Sequence, residues 1–172
     1  MVESYSTTEA AIPDRAVPQQ RGALNAYGMF ERMAARIPAS IPLFLLRIAV
    51  AIPFLKSGRL KWDGPFQLSD TTVYLFQSEF KLHILGQVYA YPAPALMALL
   101  SAIGEVVFAT MLILGVGTRI AALGMLGMTA IIQLTIPDGW ANFHLAWAAM
   151  LLAILTYGPG RLSLDHLVGR FR

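Results

Sequence analysis

Arg47, Lys56, Glu105, Gln133 and His144 are the residues of this sequence best suited to chemistry, because each interrupts a long apolar stretch. A charged side chain at the centre of a bilayer costs at least about 2.5–3.5 kcal/mol on insertion scales, so it persists mainly where it is paired or faces a polar cavity. Two groupings follow from their positions. Helical rise puts Arg47 roughly 9 Å inside the first stretch and Glu105 roughly 15 Å from either end of the second. The difference is within reach of an arginine side chain, which predicts an Arg47–Glu105 ion pair. Such a pair either fixes how two helices pack or contributes to a site. Lys56, Gln133 and His144 come from the first, third and fourth stretches, roughly 5–10 Å below their opposite edge. With Glu105 beneath them they are candidates for lining one ligand-binding pocket. The alternative is separate interhelical hydrogen bonding. Pro53 deletes one backbone hydrogen bond in the first stretch and gives such a pocket room.

Other chemistries are poorly served. The sequence has no cysteine, which removes disulfides, thiolate metal sites, iron–sulfur ligation and c-type haem attachment. His83, His144 and His166 fall on different segments, with His166 expected on the opposite side from the other two, so no metal set is expected. No phosphate-binding loop, nucleophile constellation or pair of catalytic carboxylates is present. No residue is assigned a catalytic role, and the chain is expected not to be catalytic on its own. The net charge is +3, but ten of the 13 basic residues are arginines scattered at segment ends without interleaved aromatics. Nucleic acid is therefore not an expected partner.

The elements that must position these residues are helices in lipid. Charged residues make up 13% of the 172 and apolar ones 56%, against about 25% charged in soluble domains; the mean hydropathy is +0.59. Four apolar stretches are long enough to cross a membrane, over residues 41–60, 94–114, 120–136 and 141–157. The second spans about 31 Å at helical rise, close to the roughly 30 Å hydrocarbon core. The last two are near the lower length limit for spanning. Ala98, Ala102, Gly124 and Gly127 are small enough for close helix packing. Gly115–Arg119 and Pro137–Trp140 read as tight turns, and residues 61–92 as the one long loop. Within that loop Ser69 or Asp70 can cap a short helix whose Val73, Phe76 and Phe80 share a face. The fold class is an all-α membrane protein, a four-transmembrane-helix bundle.

Ahead of the bundle, residues 1–21 are polar and proline-bearing, which predicts a mobile tail and no signal peptide. In residues 22–38, Leu24, Tyr27, Phe30, Met33, Ala34 and Ile37 share one helical face and Asn25, Arg32 and Arg36 the other. This predicts an N-terminal amphipathic interfacial helix, lying on the membrane surface or packed on the bundle end. Arg15, Arg21, Arg32, Arg36, Arg119, Arg161, Arg170 and Arg172 fall on one side of the spans and only Arg59, Lys61 and Lys81 on the other. The excess places both termini in the cytoplasm and Trp62, Trp140 and Trp147 towards the outer face.

Several of these residues form a pattern. Leu46-Arg47, Lys56-Ser57-Gly58-Arg59-Leu60-Lys61, Glu105, Leu114-Gly115 with Gly117-Thr118-Arg119, and Gly158-Pro159-Gly160-Arg161-Leu162-Ser163-Leu164-Asp165 together resemble the DoxX family of bacterial four-helix inner-membrane proteins, over about residues 41–167. The loop from Leu68-Ser69-Asp70 through Phe80-Lys81-Leu82 is similar to a subgroup with an extended first loop. Phe108 departs from the pattern, standing where many members carry glycine. The resemblance implies a bacterial cytoplasmic-membrane location and a link to redox: some relatives are the membrane subunit of a thiosulfate:quinone oxidoreductase, others belong to oxidative-stress complexes, and some lie beside genes for metal-responsive peptides. Together with the intramembrane polar residues it leads to an expected accessory subunit of a redox or respiratory assembly. Its partners would be the lipid bilayer and other membrane subunits or a second copy. No cofactor is intrinsic, and quinone is the one the pocket would contact. A small transporter or metabolite-binding protein using the same pocket, and a scaffold whose buried charges set helix register, are the alternatives.

Overall fold

The computed structural model describes residues 27–169. The expected tail over 1–21 and the start of the 22–38 helix lie outside the described residues. Residues up to Ile37 form one unit and those from Pro38 another. The first contains helix α1 over residues 27–34, on which Tyr27, Phe30 and Met33 are exposed.

In the second unit, four helices are long and apolar enough to cross a membrane among the described residues: Ser40–Leu60 (α2), Pro94–Leu114 (α4), Thr118–Thr135 (α5) and a composite Pro137–Tyr157. The composite begins with a 3₁₀ turn at Pro137–Gly139, widens into a π turn at Trp140–His144 and continues as helix α6, Leu145–Tyr157. The expected turn at 137–140 is thus the first turn of the span, because proline at the first helical position seeds the helix directly. The third span likewise starts at Thr118, two residues earlier than the hydropathy pattern placed it. α2 packs on α4 and α6, and α5 packs on the same two, closing a ring of four. One end of the ring, with Ser40, Leu114, Thr118 and Tyr157, is the tail end. The other carries the long connection and is the loop end.

The tail-end half is a filled core in which Val50, Ala51, Leu112, Met125, Leu151 and Ile154 are fully buried. Close helix approach makes this possible. The buried stripe of α4 is Ala98, Ala102, Glu105, Ala109 and Leu112, and a Cβ at Gly58 of α2 would come within 2.8 Å of Glu105 Cβ and 3.1 Å of the Val106 nitrogen. Phe108 fits because Gly124 of α5 lies under its ring, where a Cβ would stand 2.6 Å away. Gly127 has no neighbour there and does not serve packing.

The long connection is more structured than its sequence suggests. It holds a hairpin of Trp62–Gly64 (β1) with Gln67–Leu68 (β2), a short helix Asp70–Tyr74 (α3) running into a π turn Leu75–Glu79, and a second hairpin of Lys81–Ile84 (β3) with Gln87–Ala90 (β4). Ser69 takes the cap position of α3 through its backbone; its side chain makes no capping bond. Phe76 is buried against Phe80 and Tyr91, with ring centroids 5.2 Å apart in each case, and this cluster packs on Ala98 of α4. The Tyr91 hydroxyl lies 2.5 Å from Thr135 Oγ1 and His83 Nδ1 is 3.2 Å from the Leu134 carbonyl. The connection is therefore fastened to the ends of both α4 and α5.

Candidate functional site

The polar residues inside the bundle gather at two places. At the tail end, Arg47 is fully buried. Its Nη1 donates to the Leu112 carbonyl at 3.2 Å and its Nη2 to the Leu162 carbonyl, and its guanidinium lies 5.5 Å from the centroid of the Phe44 ring. Beside it, Asp165 opens the short helix Leu164–Gly169 (α7) and caps α5 from 48 residues downstream. One carboxylate oxygen accepts from the Gly117 N–H at 2.8 Å, and the other accepts from the Thr118 N–H at 2.9 Å and its hydroxyl at 2.8 Å. This satisfies the first free N–H groups of a spanning helix that has no cap of its own. Gly115, at φ 72°, completes the junction: its carbonyl accepts from the Asp165 N–H, and a Cβ there would run into Arg47 and Ser163. The cluster is a structural clasp.

Burial pushes the Asp165 carboxyl up, but the Thr118 and Gly117 hydrogen bonds and the Arg47 charge outweigh it and hold it below the usual carboxylate range. A carboxyl depressed on folding stabilises the protein at pH values above its unfolded pKa of about 3.9, and that stability is lost as pH falls through the folded value. Thermal melts in detergent are expected to fall for the wild type below about pH 4. Asp165→Asn should be less stable at pH 7 and flatter over the acid window. Parallel acid slopes in the two proteins would remove this role for Asp165.

At the loop end, α2, α4, α5 and the fourth span enclose a cavity of about 670 Å³. Its walls are mostly apolar, with Phe54, Met128 and Trp147 among them. Thr135, Asp138 and Asn142 also line it, and two hydrogen-bonded polar patches stand out. On the α2–α4 side, Lys61 Nζ pairs with Glu105 Oε2 at 2.6 Å and donates to Ser57 Oγ at 2.9 Å, while Ser101 donates to Glu105 Oε1 at 3.3 Å. On the opposite side, His144 is 3% exposed, and its Nδ1 lies 2.7 Å from Gln133 Oε1. Trp147 packs on the imidazole with ring centroids 5.4 Å apart. A more open groove of about 720 Å³ lies at the tail end. Of its polar members, Ser40 accepts from the Arg161 backbone N–H and Asp165 caps α5, while the Arg161 and His166 side chains also line it; the loop-end cavity is the one set among the spanning helices.

The structure redistributes the residues singled out in sequence. The expected Arg47–Glu105 pair is not formed: Glu105 takes Lys61 instead, and Arg47 turns to backbone carbonyls at the tail end. Glu105 and His144 line the cavity. Gln133 stands behind His144, oriented by a bond from its Nε2 to the Pro137 carbonyl at 3.0 Å. Lys56 is exposed on the outside of α2, because it lies about 100° around the helix axis from Ser57. Lys61 is the residue the sequence reading left out of the site. The signal for it was present: Pro53, Ser57 and Lys61 recur every four residues along one face, as do Met97, Ser101 and Glu105 on α4.

Four apolar helices with an ion pair and a cavity enclosed among them define a helical membrane protein. Residues 42–138 match the DoxX family, and the chain belongs to it. The match takes in the first three spans and the long connection, and ends before His144. The chain is also similar to an uncharacterized protein of Haemophilus influenzae, 29% identical over 147 residues, which cover 77% of this chain and 86% of that protein. No solved structure matches it.

Proposed function

We propose that this membrane protein is an accessory subunit of a redox assembly, and that its loop-end cavity receives the ring of a quinone-type lipid. The observation that carries this reading is the cavity itself: aromatic and apolar walls, with hydrogen-bonding groups on two opposed sides. Its lining includes Leu100 of α4 and Ile131 of α5, which are also among the exposed side chains of their spans. The cavity thus meets the lipid-facing surface between these helices, where an isoprenoid tail would leave it. A bound quinone would supply the two-electron couple that a cysteine-free chain lacks. Membership of the DoxX family supports a loose redox link. The filled tail-end core beneath the cavity favours a binding site over a transport path.

In this reading the tail end faces the cytoplasm of a bacterial inner membrane, since Arg119 and Arg161 lie there and Arg59, Lys61 and Lys81 at the other end. Helix α1, on which Tyr27, Phe30 and Met33 are exposed, reads by itself as an amphipathic membrane-surface helix. Native mass spectrometry of gently solubilised membranes tests the proposal. The expected result is a defined protein partner and a bound mass matching a quinone. A bare monomer or homodimer carrying phospholipid alone would overturn it.

A further inference from the structure

We propose that the cavity selects the hydroxyl-bearing, reduced form of its aromatic ligand over the carbonyl form, because its two polar walls differ in hydrogen-bonding sense. This rests on the quinone-type occupant proposed above. Gln133 sets the sense of one wall. Only its amide nitrogen can donate to the Pro137 carbonyl at 3.0 Å, so its oxygen is the atom that faces His144 Nδ1 at 2.7 Å. A carboxamide oxygen only accepts, so the imidazole proton must sit on Nδ1. The opposite tautomer would set a lone pair against that oxygen, and flipping the amide would set two oxygens together at Pro137.

His144 Nε2 is left with a lone pair. That holds for the neutral imidazole, and among the described residues no carboxylate hydrogen-bonds to the ring. Nothing described bonds to Nε2. It is not sealed in either, because Arg47 Nε is the buried side-chain nitrogen or oxygen that lacks a partner. Nε2 lies beside Gly139, where a Cβ would stand 2.7 Å away, and both residues line the cavity, so we take it as the ring atom offered to a ligand. The facing wall offers a donor beside the Glu105 carboxylate: Lys61 Nζ uses two of its three N–H bonds on Ser57 and Glu105, leaving one for a ligand oxygen.

A ring with a hydroxyl at the His144 end and an oxygen at the Lys61 end satisfies both walls. A quinone, whose oxygens only accept, sets a carbonyl against the Nε2 lone pair. One unpaired acceptor pair in a water-poor site corresponds to about tenfold in affinity.

The test measures quenching of tryptophan fluorescence in the full-length protein by three probes: a short-tailed benzoquinone, its hydroquinone under argon, and the hydroquinone dimethyl ether. The hydroquinone is expected to bind about tenfold more tightly than either of the others. In His144→Phe the preference should vanish. In Gln133→Leu, which frees the tautomer, it should narrow while binding persists. Equal affinities of the wild type for all three probes would overturn this inference and leave the quinone reading standing. Binding of none of them would overturn both.

Discussion

Replacing Arg47 with methionine is expected to destabilise the protein by about 3–5 kcal/mol. The side chain is fully buried in the tail-end clasp. It gives two hydrogen bonds to carbonyls from segments far apart in the chain, Leu112 and Leu162. Methionine matches the length of the stem but leaves both carbonyls without a donor, each at a cost of about 1–3 kcal/mol where water cannot reach. It also removes the positive charge that helps hold Asp165 ionised. An SDS titration of the detergent-solubilised protein, followed by tryptophan fluorescence, measures the loss. Because Arg47 and Asp165 act in one clasp, the loss from Arg47→Met with Asp165→Asn should be well short of the sum of the single losses. A loss under about 1 kcal/mol for Arg47→Met would mean that the clasp does not hold the fold.

Lys61→Met is the second large effect. Lys61 and Glu105 have side chains only 14% and 5% exposed and stand 2.6 Å apart. Removing the lysine strands a carboxylate at the base of the cavity, with Ser101 as its remaining donor. The expected cost is about 3 kcal/mol. Replacing both partners, Lys61→Met with Glu105→Leu, should recover most of that stability, since a buried ion pair exchanged for apolar groups of similar size is often neutral or stabilising. The same double variant should lose the donor wall of the cavity and with it affinity for the probes. A double variant as unstable as the sum of its singles would show that the two charges do not depend on each other. The pair would then be a coincidence of packing.

The clasp and the ion pair stand at opposite ends of the bundle, and the two groups do different work. Gly115, Gly117, Thr118 and Asp165 meet in hydrogen bonds that join the α4–α5 turn to the C-terminal segment. They hold the bundle closed at the end opposite the cavity. Glu105, Lys61 and Ser57 face the cavity. Variants of the first group should report on stability and those of the second on ligand affinity.

The sequence by itself determined the spans, to within one residue except at the starts of the third and fourth, which lie two and four residues earlier than expected. Apolar stretches of that length have one favourable setting, and a lipid solvent makes every backbone group within them bond along its own helix. It also put Glu105 and His144 facing inward, since a polar side chain in such a helix cannot face lipid cheaply, but the same reasoning misplaced Lys56, which is exposed on the outside of α2. Tertiary structure decided which partner each would have. Axial depth is readable from helical rise, but the rotation of one helix against another is not, and Arg47 and Lys61 both had the reach for Glu105. Packing settled the choice: Gly58 brings α2 against Glu105 on the face that carries Ser57 and Lys61. The C-terminal segment folds back to offer Arg47 the Leu162 carbonyl and Asp165 instead. The hairpins of the long connection were hidden for a related reason. Their strands are two to four residues long, too short for a periodic signal, and they are held by contacts with the ends of α4 and α5 that exist only once the bundle has formed.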